Sequence, residues 1–83
     1  MEFWKHSPNT EYEPAYELIA KTAHAVYTAQ RNSDEAANEL KAELHGACAV
    51  LAELSEDYPT VHVDSVTGVV KIYHLGYSIK AIF

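Results

Sequence analysis

Residues 33–58, SDEAANELKAELHGACAVLAELSEDY, decide the fold that we predict for this chain. Apolar residues recur here every three or four positions, the spacing that places side chains on one face of an α-helix. These positions are Leu40, Leu44, Ala47, Cys48, Leu51 and Leu54. We predict one long amphipathic helix over residues 33–57, and we expect the other segments of the chain to cover its apolar face.

A second helical pattern lies just before it, over residues 10–31. Thr10 and Glu13 match a capping box, although Pro14 would also allow the helix to begin at Glu13. The apolar stripe of this helix consists of Ala15, Leu18, Ile19, Thr22, Val26 and Ala29. Because the connection to the next helix is short, the two helices should be antiparallel neighbours.

The connection itself contains Asn32 and Ser33, and we expect one of them to cap the second helix. Inside that helix, Gly46 forms a strip of small residues with Ala42 and Ala49. Glycine in a helix interior costs about 1 kcal/mol relative to alanine. We therefore expect a neighbouring backbone, such as that of the first helix, to approach Gly46 closely.

The remaining residues predict three strands, at 60–64, 69–74 and 77–83. Asp64 and Gly68 bracket a hairpin loop in which Gly68 supplies a left-handed residue. Both turns imply registers that place the same set of side chains on one face of the sheet. That set is Val61, Val63, Val70, Ile72, Ile79 and Ala81. The predicted fold is one α+β domain over residues 1–83, an antiparallel helical hairpin packed on a three-stranded antiparallel meander, in the order ααβββ.

Composition narrows the classes of function. The chain has 83 residues and a net charge of −6, which disfavours direct binding to nucleic acid or to anionic membranes. Cys48 is the single cysteine, so no internal disulfide is possible, as is typical of a reducing compartment. No apolar run reaches the ~20 residues of a membrane span, and the N-terminal residues lack the apolar core of a secretory signal. We expect a cytoplasmic protein, in a bacterial or phage-infected cell.

The residues that could carry chemistry are scattered. His62 and Asp64 lie two apart on one strand, but Lys71 should lie opposite His62 and repel a cation, and a metal site needs three or four ligands. Cys48 occupies a core position, where burial makes a thiol unreactive. No serine has the context of a nucleophile and no glycine-rich phosphate loop is present. We predict no metal, no cofactor and no enzymatic activity.

Charge is distributed unevenly along the chain. Residues 7–58 contain ten acids and three bases, a net of −7, whereas residues 60–83 contain one acid and two bases, a net of +1. A solvated helix face that promotes solubility would explain this. The alternative is a binding surface for a basic groove, formed by Glu35, Glu39, Glu43, Glu53, Glu56 and Asp57. The match to nucleic acid is partial, since these glutamates recur about every 6 Å and phosphates about every 3.4 Å.

The outer face of the sheet is a second candidate surface, formed by Val69, Lys71, Tyr73 and Ile82. The three apolar members predict a cluster that a small monomer should not leave bare. Either Phe3 and Trp4 fold over this face, or a second copy of the chain covers it or pairs with a free edge of the sheet.

In size, acidity and lack of catalytic motifs, the chain resembles the small inhibitors made by bacteriophages, anti-CRISPR proteins among them; the resemblance lies in bulk properties and no motif carries it. We therefore expect a non-catalytic protein-binding module that inhibits or modulates a nucleic-acid-handling protein through its acidic helical face. The alternative is a structural homodimer or small assembly subunit joined through the sheet.

Overall fold

The computed structural model describes residues 2–5 and 11–83, the first of these ranges by its backbone. Two α-helices are followed by three antiparallel strands, and the helical hairpin packs on the sheet, which confirms the predicted ααβββ arrangement. In chain order the elements are β1 (Glu2–Lys5), α1 (Glu13–Arg31), α2 (Ala37–Ser55), β2 (Thr60–Val63), β3 (Val70–His74) and β4 (Tyr77–Ile82).

The registers of the meander are those predicted from the two turns. Val63 lies opposite Val70 in the first hairpin, and Ile72 lies opposite Ile79 in the second. Gly68 adopts a φ of 75° in the connecting loop, where the backbone N–H of Gly68 donates to the carbonyl of Asp64. The alternation of apolar and polar residues, together with the residues in the turns, was sufficient to predict these registers because both signals are local in sequence.

The sheet has one strand more than we predicted. β1 pairs antiparallel with β4, so the strand order is β1-β4-β3-β2 and the chain contributes its first strand to a sheet edge. Phe3 and Trp4 therefore belong to an edge strand, with their backbone opposite that of Ala81 and Lys80, and the backbone of this segment lies beside β4 instead of over the sheet. Four residues carry too little alternation to reveal a strand whose partner lies at the other end of the chain.

The first helix, and not the second, is the centre of the core. α1 buries seven residues against the sheet and α2: Tyr16, Ile19, Ala20, Thr22, Ala23, Val26 and Ala29. In contrast, α2 fully buries only Cys48 and Leu51. The alanines of α1 allow the helix to approach the inner face of the sheet, where Val70, Ile72 and Ile79 complete the core. Our expectation that other segments cover the apolar face of residues 33–58 is met only in part: Leu54 is exposed, and the rest of that face is buried or half-buried.

The first helix has the second of its two predicted starts and the predicted end at Arg31. α1 begins at Glu13 with Pro14 in its first turn, and Thr10 lies outside the described residues. At the other end, Ser33 adopts a φ of 53°, and Asp34 donates its N–H to the carbonyl of Ala29. Together with the bond from Ser33 to the carbonyl of Gln30, this forms a Schellman motif.

The second helix is shorter than predicted. Asn32 and Ser33 do not cap it, because they terminate α1; instead Oδ1 of Asp34 accepts the N–H of Ala36, just before α2 begins at Ala37. α2 ends at Ser55, and Glu56 follows with a φ of 59°, donating its N–H to the carbonyl of Ala52. Glu56 thus occupies a left-handed helix cap where glycine is the usual residue.

Candidate functional site

Three predicted acids form a row along the N-terminal half of α2. Glu35 lies just before the helix, Glu39 and Glu43 lie on it, and all three are exposed. Within residues 11–83, no lysine, arginine or histidine forms an ion pair with any of them, whereas Glu17 on α1 pairs with Lys21 at 3.1 Å. Carboxylates at four-residue spacing repel one another, so this row weakens α2 by a small amount.

The acids at the C-terminal end of α2 are not equivalent. Glu53 and Glu56 are exposed, but Asp57 is half-buried and its Oδ2 accepts the backbone N–H of Leu75 at 2.7 Å. Leu75 has a φ of 53°, so Asp57 supports a left-handed residue in the β3–β4 turn. Asp57 therefore has a structural contact that the sequence did not indicate.

A groove of about 370 Å³ runs between the helices on the side away from the sheet. It is lined by Leu18 and Thr22 of α1 and by Glu43, Gly46, Ala47 and Val50 of α2. Leu18 is 56% exposed and Val50 is 58% exposed, and Leu54, one turn after Val50, is 67% exposed. Leu18 and Leu54 were expected on buried stripes, and both expectations were wrong.

Gly46 is one of the residues that line this groove. A Cβ added at Gly46 would have no atom within 4 Å, so the close approach of a neighbouring backbone that we expected does not occur. The helix therefore contains an exposed glycine without an internal packing reason. The sequence does not reveal the groove, because a helix pattern shows which side is apolar but not how much of that side a neighbour covers.

The buried polar centre of the molecule is His74, which is 2% exposed. Its Nδ1 lies 2.6 Å from the Tyr16 hydroxyl, and its Nε2 lies 2.8 Å from Oγ of Ser55 and 3.1 Å from the carbonyl oxygen of Asp57. The rings of Tyr12 and Tyr16 both pack edge-on against the imidazole. His74 lies at the end of β3, and both of its ring nitrogens have a hydrogen-bond partner within the protein.

The contacts of His74 define its tautomer. A carbonyl oxygen only accepts, so Nε2 carries the proton, and Nδ1 accepts from Tyr16. Burial raises the pKa of Tyr16, with smaller contributions from Tyr12 and Asp57, which keeps its hydroxyl protonated as the donor. Ser55 donates to the carbonyl of Leu51 at 2.6 Å. Nε2 of His74 thus donates to the carbonyl of Asp57 and to Oγ of Ser55, so hydrogen bonds hold the imidazole at both ring nitrogens.

The other candidates for chemistry are accounted for structurally. Cys48 is buried, and burial raises the pKa of its thiol, as predicted. Oδ1 of Asp64 accepts the N–H groups of Val66 and Thr67, and these hydrogen bonds lower the pKa of Asp64. Lys71 does lie opposite His62. Nowhere in the described residues do three histidine, cysteine or acidic side chains come together as metal ligands.

The outer face of the sheet is not the continuous apolar cluster that we expected. Lys71 and Lys80 lie directly opposite each other in the middle of it. Val69 and Ile82 are half-buried at one end of the outer face. Tyr73 is exposed at the other end, four residues after Val69, which corresponds to about 13 Å along a strand. Two lysines thus separate the apolar members.

Comparison with models of protein families, with curated proteins and with solved structures found no match to this chain. In the described part of the chain, neither helix has the length and hydropathy needed to cross a bilayer.

Proposed function

We propose that this chain is a non-catalytic protein-binding module that inhibits or modulates a nucleic-acid-handling protein, with the acidic face of α2 occupying a basic groove on that partner. The observation that supports this most directly is the row Glu35, Glu39 and Glu43, three exposed carboxylates with no ion pair among the described residues. Exposed carboxylates can replace phosphates in a groove lined by arginine and lysine.

The distribution of charge also supports a directed surface. The helical segment has a net charge of −7 and the sheet segment of +1, so the field of the molecule is polarised. A polarised field orients an approaching basic partner and raises its association rate. The free thiol of Cys48 suits a reducing cytoplasm, and we place the protein in a bacterial or phage-infected cell.

The experiment compares partner capture by wild type and by two triple variants. In the first, Glu35, Glu39 and Glu43 are all changed to lysine; in the second, the same three residues are changed to glutamine. Partners captured from a bacterial lysate are identified by mass spectrometry and titrated against each protein at low and at physiological salt. We expect affinity to fall with salt because the Debye length shrinks to about 8 Å.

The lysine variant should abolish binding and the glutamine variant should weaken it, and both should shift the unfolding midpoint by only a small amount. A third variant, with Glu53 and Glu56 changed to lysine, tests the C-terminal acids separately. Asp57 is not changed, because its carboxylate accepts a hydrogen bond from the backbone N–H of Leu75. Equal affinity for all variants, without dependence on salt, would show that the acidic face is only a solvated surface.

A second candidate is self-assembly through the sheet, which rests on the exposed edge of β2 at the end of the strand order. A symmetric dimer through the centre of the outer face would bring Lys71 and Lys80 of two copies together, so the edge is the better position. Light scattering at high protein concentration measures the oligomeric state of the wild type. The Tyr73→Glu variant, measured in the same way, shows whether a dimer depends on the outer face of the sheet. A monomeric wild type contradicts this candidate.

A further inference from the structure

The acidic face of α2 has an apolar centre. Gly46 lies seven residues after Glu39 and seven before Glu53, and Val50 lies seven after Glu43. Seven residues return to the same side of a helix within about 20°. On this side of α2, Gly46, Ala47 and Val50 therefore form an apolar segment. Glu39 and Glu43 lie at one end of that segment, and Glu53 and Leu54 lie at the other end.

The groove next to this segment is open to solvent and long enough for a helix. Its lining on α2 runs from Glu43 to Val50, about 10 Å or two helical turns. Leu18 of α1 and Val50 of α2 both line it, as does Gly46, where nothing lies within 4 Å of an added Cβ. An apolar channel between two helices is the site that a third amphipathic helix fills in a bundle.

We infer that this groove binds a basic amphipathic helix of the partner, whose apolar residues lie between Leu18 and Val50 while its lysines or arginines reach Glu39, Glu43 and Glu53. The inference rests on the proposed function and names the partner's recognition element. It goes beyond mimicry of nucleic acid, since mimicry of phosphates would require only the carboxylates and not the exposed leucine and valine beside them.

Charge selects this occupant over a second copy of the chain. A second copy docked through the same groove would bring the acids of the two copies together, because a two-fold interface pairs one patch with itself and acids lie at both ends of the groove. The lysine nearest to Leu18 in sequence, Lys21, is paired with Glu17 and does not offset the acids on α2. A cationic helix satisfies both the apolar walls and the acidic ends.

The test uses two synthetic peptides of identical leucine and lysine composition. In one, the leucines follow helical spacing and form an apolar face; in the other, the order is scrambled so that no such face exists. Binding to the full chain is measured by calorimetry at low and physiological salt. We expect the amphipathic peptide to bind at least about tenfold more tightly than the scrambled one.

Three variants locate the binding. Gly46→Leu adds a side chain to the groove lining, at a position where nothing lies within 4 Å of the new Cβ, and it adds a better helix former. It should therefore raise stability and weaken binding of the amphipathic peptide at least about tenfold. Val50→Ser should weaken binding similarly. The matched control is Val66→Ser, which alters a valine that is 81% exposed in the β2–β3 loop and should have no effect.

The outcomes separate the two proposals. If both peptides bind equally, and charge reversal of Glu35, Glu39 and Glu43 abolishes the binding of both, the proposed function of the acidic face is supported and the groove inference is wrong. If the amphipathic peptide still binds the reversed variant and depends only on Gly46 and Val50, the proposed electrostatic function fails. Absence of binding by either peptide overturns the inference, as does a wild-type dimer that Gly46→Leu converts to monomer.

Discussion

The hydroxyl of Tyr16 lies 2.6 Å from Nδ1 of His74, which joins the first turn of α1 to the last residue of β3 across 58 positions of sequence. Both side chains are almost completely buried. Because Nε2 of the same ring contacts Ser55 and the carbonyl of Asp57, one imidazole connects both helices to the end of the sheet.

Tyr16→Phe should destabilise the protein by about 1–3 kcal/mol, because it leaves Nδ1 of His74 buried without a donor. The measurement is urea denaturation followed by circular dichroism. Tyr58→Phe is the matched control, since Tyr58 is exposed and a surface change should stay within about 0.5 kcal/mol. Equal midpoints for the two variants would mean that water or another group satisfies His74.

Leu51→Ala should cost about 2–5 kcal/mol, because Leu51 is fully buried and the substitution leaves a cavity in the core. Leu54→Ala, one turn away in sequence on the exposed side, should change the free energy of unfolding by no more than about 0.5 kcal/mol. Chemical denaturation of both proteins compares the same substitution on two faces of α2. The reverse order of effects would show that α2 is rotated relative to the structure described.

Gly68→Ala should destabilise more than Gly76→Ala. Both glycines have positive φ, at 75° and 78°, so both substitutions carry a left-handed backbone cost of about 1 kcal/mol. At Gly68 the new Cβ would also lie 2.9 Å from Cε1 of Tyr27, whereas nothing lies within 4 Å at Gly76.

The difference between these two alanine variants measures the contact with Tyr27. Repeating Gly68→Ala in a Tyr27→Ala background should remove the excess and leave only the backbone cost. If the excess persists without the tyrosine ring, the cost arises from the loop backbone.

The charge of Asp64 should stabilise the β2–β3 loop in a pH-dependent manner. Its hydrogen bonds to Thr67 and Val66 lower its pKa in the folded state, so its contribution is complete above the ordinary value of 3.8 and is lost as pH falls through the lower folded value. Asp64→Asn keeps the acceptor oxygen and removes the charge. Wild type should have the higher melting temperature at neutral pH, and the two melting temperatures should converge in acid.

A difference in melting temperature that stays constant down to the lowest pH would contradict this account of the loop. The comparison isolates Asp64 because every other carboxyl group titrates in both proteins.

Much of the fold could be predicted from the sequence because its signals are local. The alternation of Val61, Val63, Val70 and Ile72, with Gly68 between the strands, specified the inner face and register of the first hairpin. The acidic row of Glu35, Glu39 and Glu43 was equally readable, since four-residue spacing places charges on one side of any helix. The exposed groove was not, because Leu18 and Val50 are apolar residues whose burial depends on what packs above them.

What the sequence determined by itself is the set of elements, their periodicity and the sign of the charge on each, all of which arise from neighbours within a few positions. Only the tertiary structure decided that α1 is the central helix, that residues 2–5 pair with β4, and that His74 bonds to Tyr16. These contacts join residues far apart in the chain. Which of several amphipathic faces is buried depends on competition between them for one small core, and no single segment encodes the result.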